Sequence, residues 1–212
     1  MKKFILAAMM LLNLSVFAQE GAKQIYESPK MKEAISKHKI VAILPFTTGI
    51  SYKRPPKNFD AEANKQEEKK LSRDLQNEMF TYLLRKKEEY TVDFQDPDKT
   101  NTLLRKAGVF DKIDEIGIDS LAKILGVDAV VKCSYSYEKT SSEGAAIAKT
   151  LLFGGLGSKT GSGQLVMQIK NATDGELLWR FSKAMDDGVF SSAGQLMERM
   201  MRKVSRNFPY EK

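Results

Sequence analysis

Residues 39–46, Lys39-Ile-Val-Ala-Ile-Leu-Pro-Phe46, decide how the rest of the chain is read. Ile40 to Leu44 form an unbroken apolar run, too short for a core helix and with no polar side for water. Such a run reads as a strand buried on both faces, so the sheet it joins carries cover above and below. Pro45 has no N–H to give to a ladder and marks the expected end of that strand.

Outward from this strand, helical and extended patterns alternate. Thr47 to Asp60 reads as a long connection holding Tyr52, Lys53, Arg54, Pro55 and Pro56. Long loops in small domains are functional or disordered, and the aromatic-basic mixture makes Tyr52, Lys53 and Arg54 a candidate contact surface. Leu71, Leu75, Met79, Tyr82 and Leu83 then recur at helical spacing, predicting a helix over roughly 61–88. Tyr90–Phe94 is a short β segment. Asp96-Pro97 opens a further helix that carries Leu103 and Leu104 and stops at Gly108; Ile118, Leu121, Ile124 and Leu125 mark another that stops at Gly126. Asp128–Tyr137 is a second well-marked strand. Residues 164–171 and 177–185 alternate apolar and polar around the turn Asn171-Ala-Thr-Asp-Gly175, which predicts a β-hairpin. Ser192 and Gln195 have capping-box spacing ahead of a final helix to about 207. Its stripe of Leu196, Met197, Met200, Met201, Val204 and Phe208 reads as core, with an adaptable binding face as the alternative. Helices between the early strands demand crossovers, and the hairpin adds antiparallel strands. The expected fold class is therefore α/β (α+β), a mixed sheet of about five strands with helices packed against it and a C-terminal hairpin plus helix.

Upstream, residues 19–38 form a polar extension in which Ser28-Pro29 looks like the cap of a helix over roughly 29–37. Residues 1–18 carry Lys2-Lys3, the apolar run Phe4–Leu14 and the small-residue site Val16-Phe17-Ala18. This is the layout of a cleavable export signal rather than of a buried amino-terminal helix or an anchor. No cysteine stands near the cut, so a chain that is not lipidated is expected. Removing the signal takes away two lysines and no acid, so the formal charge falls from +7 to +5. That mild, dispersed excess implies no nucleic-acid partner. Residues 39–212 are read as a single domain.

Several phrases carry a resemblance: Ile40-Val-Ala-Ile-Leu-Pro-Phe46, the run Leu71 to Phe94, Leu121-Ala-Lys-Ile-Leu-Gly-Val-Asp-Ala-Val-Val131, and Ile169-Lys-Asn-Ala-Thr-Asp-Gly-Glu-Leu-Leu-Trp179. In these and in element order the chain resembles the curli secretion channel (CsgG) family and the amino-terminal domain of TolB. The resemblance covers most of the chain after the signal. It implies a bacterial envelope module that works by assembly and contact, with no shared active site. The chain departs from the channel family in lacking an anchoring cysteine and two long membrane-crossing hairpins, which argues against a pore.

Catalytic patterns are sparse. Cys133 and His38 are the only cysteine and histidine. Cys133 lies mid-strand and reads as a structural core residue, and no Gly-x-Ser-x-Gly elbow follows a strand. One cysteine and one histidine cannot close the four positions of a zinc site without carboxylates. Asp111, Asp114, Glu115 and Asp119 cluster in a polar linker and Asp186-Asp187 follow the hairpin; charged helix caps explain them more simply than calcium or acid/base work. Gly154-Gly-Leu-Gly-Ser-Lys-Thr160 lacks the glycine before lysine that a phosphate loop needs. No cofactor and no metal is expected.

The segment Gly144–Gly163 stands where the channel family inserts a membrane hairpin. Ile147, Leu151, Leu152, Phe153 and Leu156 make it a second candidate contact surface, for a membrane or a protein, while packing on the chain's own sheet is the favoured alternative. The expected function is a non-enzymatic, exported protein, periplasmic, outer-membrane associated or extracellular. It would bind an envelope protein partner or itself, with peripheral membrane contact as one form. The alternative is a domain that binds a small ligand or an envelope polymer such as peptidoglycan.

Overall fold

The computed structural model describes residues 23–139, 159–188 and 192–212. The proposed export signal lies outside them. At the centre runs β2 (Ile40–Ile43), in which Val41, Ala42, Ile43 and the following Leu44 have no exposed surface. Val41 and Ile43 enter one core and Ala42 and Leu44 the other, so the run is buried on both faces as expected. It is flanked in parallel by β4 (Asp93–Gln95) and β5 (Ala129–Lys139). From β5 the sheet continues antiparallel through β6 (Lys159–Asn171), β7 (Leu177–Gly188) and β1 (Gln24–Glu27). β3 (Thr47–Tyr52) also lies parallel to β5, farther along the edge that β2 occupies.

The sheet thus has seven strands rather than about five, and both additions have a physical reason. β2 pairs its residues 41–43 with 129–131, and β3 pairs 47–52 with 134–139, so residues 44–46 stand opposite only 132–133. Pro45 falls in this bulge, where the ladder needs no donor, and the chain resumes as a strand instead of leaving the sheet. The expected connection from Thr47 to Asp60 shrinks to Lys53–Asp60. β1 is four residues with every side chain exposed, so it has no apolar signature. Its pairing with β7 runs on into Ser28, whose N–H donates to the Leu178 carbonyl at 2.8 Å. That bond delays the first helix, α1, to Met31–Ile35.

Helices cover the sheet unequally. On one face α1, α2 (Ala61–Arg85) and α5 (Ala193–Val204) pack over the strands through Leu75, Met79, Tyr82 and Leu83 and through Leu196, Met197, Met200, Met201 and Val204. The methionine stripe is therefore core, held behind the expected capping box of Ser192 and Gln195. On the other face α3 (Pro97–Lys106) and α4 (Ile118–Leu125) cover β2, the start of β5 and the end of β6, through Leu104, Leu121, Ala122 and Leu125. Beyond that cover β5 changes character: Cys133 and Tyr135 point into the core while Ser136 is exposed. Gly126, at φ 65°, ends α4 in the left-handed conformation that favours glycine.

Gly161 and Gly163 sit in β6 opposite Lys139 and Tyr137. The Tyr135 and Tyr137 rings stack with centroids 6.3 Å apart and cover the two glycines, where a Cβ would collide with them.

Candidate functional site

An open sheet needs its outer backbone groups satisfied, and α2 does this for β3. Glu68 Oε1 accepts from Ile50 N–H at 2.7 Å, Asn64 donates to the Ile50 carbonyl at 3.0 Å, and Ser72 donates to the Phe46 carbonyl at 2.6 Å. One turn on, Gln76 donates to the Ile43 carbonyl at 2.8 Å and exchanges amide bonds with Asn101 of α3, all without solvent. Side chains at helical spacing thus replace a missing strand. These polar residues look like a solvated face in the sequence, and only the neighbouring edge reveals their task.

The end of β3 forms the first candidate surface. Tyr52 is half-buried: its ring meets Phe59 edge-on at 5.4 Å, and Lys139 Nζ lies 5.1 Å above it. Lys139 also donates to the Tyr52 hydroxyl at 3.3 Å and pairs with Glu67 of α2 at 2.9 Å. Lys53 and Arg54 are exposed beside this knot, as is Phe59 at 44%. The structure therefore splits the three expected residues, locking Tyr52 and leaving Lys53 and Arg54 to solvent; it adds Phe59. Ile147, Leu151, Leu152, Phe153 and Leu156 lie outside the described residues, in the segment that follows Lys139.

A cleft of about 520 Å³ opens where β2 breaks at Pro45. Lys65, Lys69 and Arg73, spaced at helical turns on α2, form one wall, and Phe110 and Asp114 the other. At its base Lys132 pairs with Asp114 at 2.7 Å, so one acid of the 111–119 cluster is spent on an ion pair. Among the described residues no three histidine, cysteine or acidic side chains converge as a metal site would require.

His38 and Cys133 are both accounted for. Asn171 Nδ2 donates to Asp174 at 3.1 Å, which turns Asn171 Oδ1 toward His38 Nε2 at 3.3 Å. Nε2 must then carry the proton, and Nδ1 accepts from the Tyr210 hydroxyl at 2.8 Å. This chain of bonds ties the C-terminus, the entry to β2 and the hairpin turn together beside a cavity of about 670 Å³. Burial holds the imidazole below its usual pKa, against the Asn171 bond and the Asp128 charge. Burial would raise the Asp128 carboxyl, but N–H donors of Ile40 and Lys39 at 2.9 and 2.8 Å outweigh it and hold the group low. Cys133 is fully buried, and burial pushes its thiol well above the usual range. His38 is thus held by two hydrogen bonds, and Cys133 lies within the core.

No helix among the described residues is long and apolar enough to cross a membrane. No family model matches the chain, and no curated protein matches it. Among solved structures, lipoprotein GNA1162 from Neisseria meningitidis is similar at 13% identity, covering 79% of this chain and 96% of that one, with a TM-score of 0.49. The PelC dodecamer from Paraburkholderia phytofirmans matches at 9% identity over 91% and 100%, with a TM-score of 0.44. The LpoB C-terminal domain from Salmonella enterica matches at 12% over 74% and 96%, with a TM-score of 0.34. No activity, ligand or partner is carried over from them.

Proposed function

We propose that this chain is an exported, non-lipidated and non-enzymatic module of the bacterial envelope that works by binding protein partners. The resemblance to the curli secretion channel family and to the TolB amino-terminal domain supports that reading. The observation that carries it is the corner at the end of β3. Phe59 stands 44% exposed on an anchored Tyr52, with Lys53 and Arg54 free of ion pairs to the described residues. An apolar ring on a rigid base, rimmed by cations, is the composition of a contact hot spot. The two residues best suited to nucleophilic or acid/base work, Cys133 and His38, are engaged in packing. Pull-downs from envelope extract should lose partners when Phe59→Ser is combined with Lys53→Glu and Arg54→Glu. Retention of every partner by that folded variant would sink the proposal.

A second reading rests on the cleft at Pro45, where three cations from α2 line one wall. That row suits an anionic envelope polymer or small ligand. Thermal shifts with peptidoglycan fragments, abolished by Lys69→Glu with Arg73→Glu, would establish it; no shift with any fragment would remove it.

A further inference from the structure

β1 is one end of the sheet, and among the described residues no strand pairs with its outer edge. Ser28 N–H donates to Leu178, and the register continues as Tyr26 with Arg180 and Gln24 with Ser182. Alternation along an antiparallel ladder then turns the backbone groups of Gln24 and Tyr26 toward β7, and those of Lys23, Ile25 and Glu27 away from the sheet. Among the described residues these outward groups have no hydrogen-bond partner. The side chains are also unsheltered, with Ile25 37% and Tyr26 49% exposed. Unlike β3, this edge has no helix of the described residues beside it that supplies donors and acceptors.

We infer that a second copy of this chain pairs antiparallel with β1, joining two seven-stranded sheets across a two-fold axis at Ile25. The inference rests on the reading of the chain as a contact module and names one partner for it. Its support is the self-complementarity of Lys23-Gln-Ile-Tyr-Glu27. With Ile25 opposite Ile25 of the second copy, Lys23 faces Glu27 twice, once on each side of the axis. The same register sets residues 23, 25 and 27 against one another, and these are the ones whose backbone groups point outward. A slip by one residue mates outward groups with inward ones, and a slip by two removes both charge pairs. Hydrogen-bond parity and charge therefore select one alignment. Lys23 now donates to Asn207 Oδ1 at 3.3 Å, a weak exposed bond that it can exchange for the carboxylate. A symmetric, self-complementary edge is the geometry of an isologous dimer.

The test is sedimentation velocity of the purified protein over a concentration series, with charge variants. The native protein should dimerise. Glu27→Lys puts lysine against lysine, Lys23→Glu puts acid against acid, and each should weaken association roughly tenfold or more. An equimolar mixture of the two variants restores both opposite-charge pairs and should regain the dimer. Ile25→Pro removes an outward N–H and an exposed side chain, so it should abolish the dimer while leaving the urea unfolding midpoint unchanged at concentrations low enough for the native protein to be monomeric. A monomeric native protein, single variants that dimerise normally, a mixture that fails to recover, or a dimeric proline variant would each overturn the inference. A monomer that still loses its envelope partners on Phe59 replacement would reject this edge and leave the proposed function standing.

Discussion

Gly163→Ala tests the packing on which the long β5–β6 ladder depends. A Cβ built at Gly163 would lie 2.7 and 2.8 Å from Cε2 and Cζ of Tyr135, with its hydroxyl oxygen closer still. Tyr135 is only 1% exposed and stacked on Tyr137, so the ring has little room to retreat. Overpacking of this kind costs about 1–3 kcal/mol. Against it, alanine restricts the unfolded chain, a gain of about 0.4–1 kcal/mol. The net loss runs from about 0 to about 2.6 kcal/mol, which lowers Tm by up to roughly 10 °C in a chain of this size. Gly49→Ala is the matched control: nothing lies within 4 Å of its Cβ, so only the entropic gain applies and Tm should hold or rise. Urea unfolding of both variants, and of Gly163→Ala combined with Tyr135→Leu, supplies the measurement. The smaller side chain should recover part of the loss. If Gly163→Ala is as harmless as Gly49→Ala, or its cost is unchanged by Tyr135→Leu, the account of a glycine kept for a tyrosine is wrong.

Other expectations follow from the buried groups. The folded pKa of His38 lies below the usual 6.5, so its contribution is whole above that value and is lost as pH falls through the folded pKa. Unfolding midpoints at about pH 7.5 and 5 should differ less in His38→Gln than in the native protein. Gln76→Leu strips partners from the Ile43 carbonyl and from Asn101, and should cost about 2–4 kcal/mol in urea melts because two buried groups are left unmet. A near-neutral result would mean water replaces the amide. Cys133 should resist thiol reagents in the native protein and react on unfolding; prompt labelling would contradict its buried place in β5.

Elements whose signals lie in their own residues were legible from the sequence. The double-sided burial of Ile40–Leu44, the capped helices opening at Asp96 and Ser192, the Gly126 stop and the hairpin at Asn171–Gly175 all state local preferences. The structure satisfies each of them. The methionine stripe of α5 belongs here too, because helical spacing shows which face is apolar.

The candidate surfaces were less legible. In the sequence Tyr52 reads as part of a long loop, yet it ends a strand and is anchored by Lys139, far off in sequence. Phe59 gave no signal beyond its hydrophobicity. β1 and β3 went unread because an edge strand needs neither an apolar alternation nor an unbroken donor series; a partner strand must be present to reveal it.

What the sequence determined alone is the fold class and the identity of its central strand, because backbone propensity, caps and periodicity act over a few residues. Only the tertiary structure decided which sheet edges are closed. The glutamate, asparagine, serine and glutamine that close the edge from Ile43 to Ile50 become edge-fillers only once α2 lies beside it, while no helix of the described residues does the same for Lys23–Glu27. Hydrogen-bond satisfaction at an edge belongs to pairs of distant segments, and no local pattern encodes it.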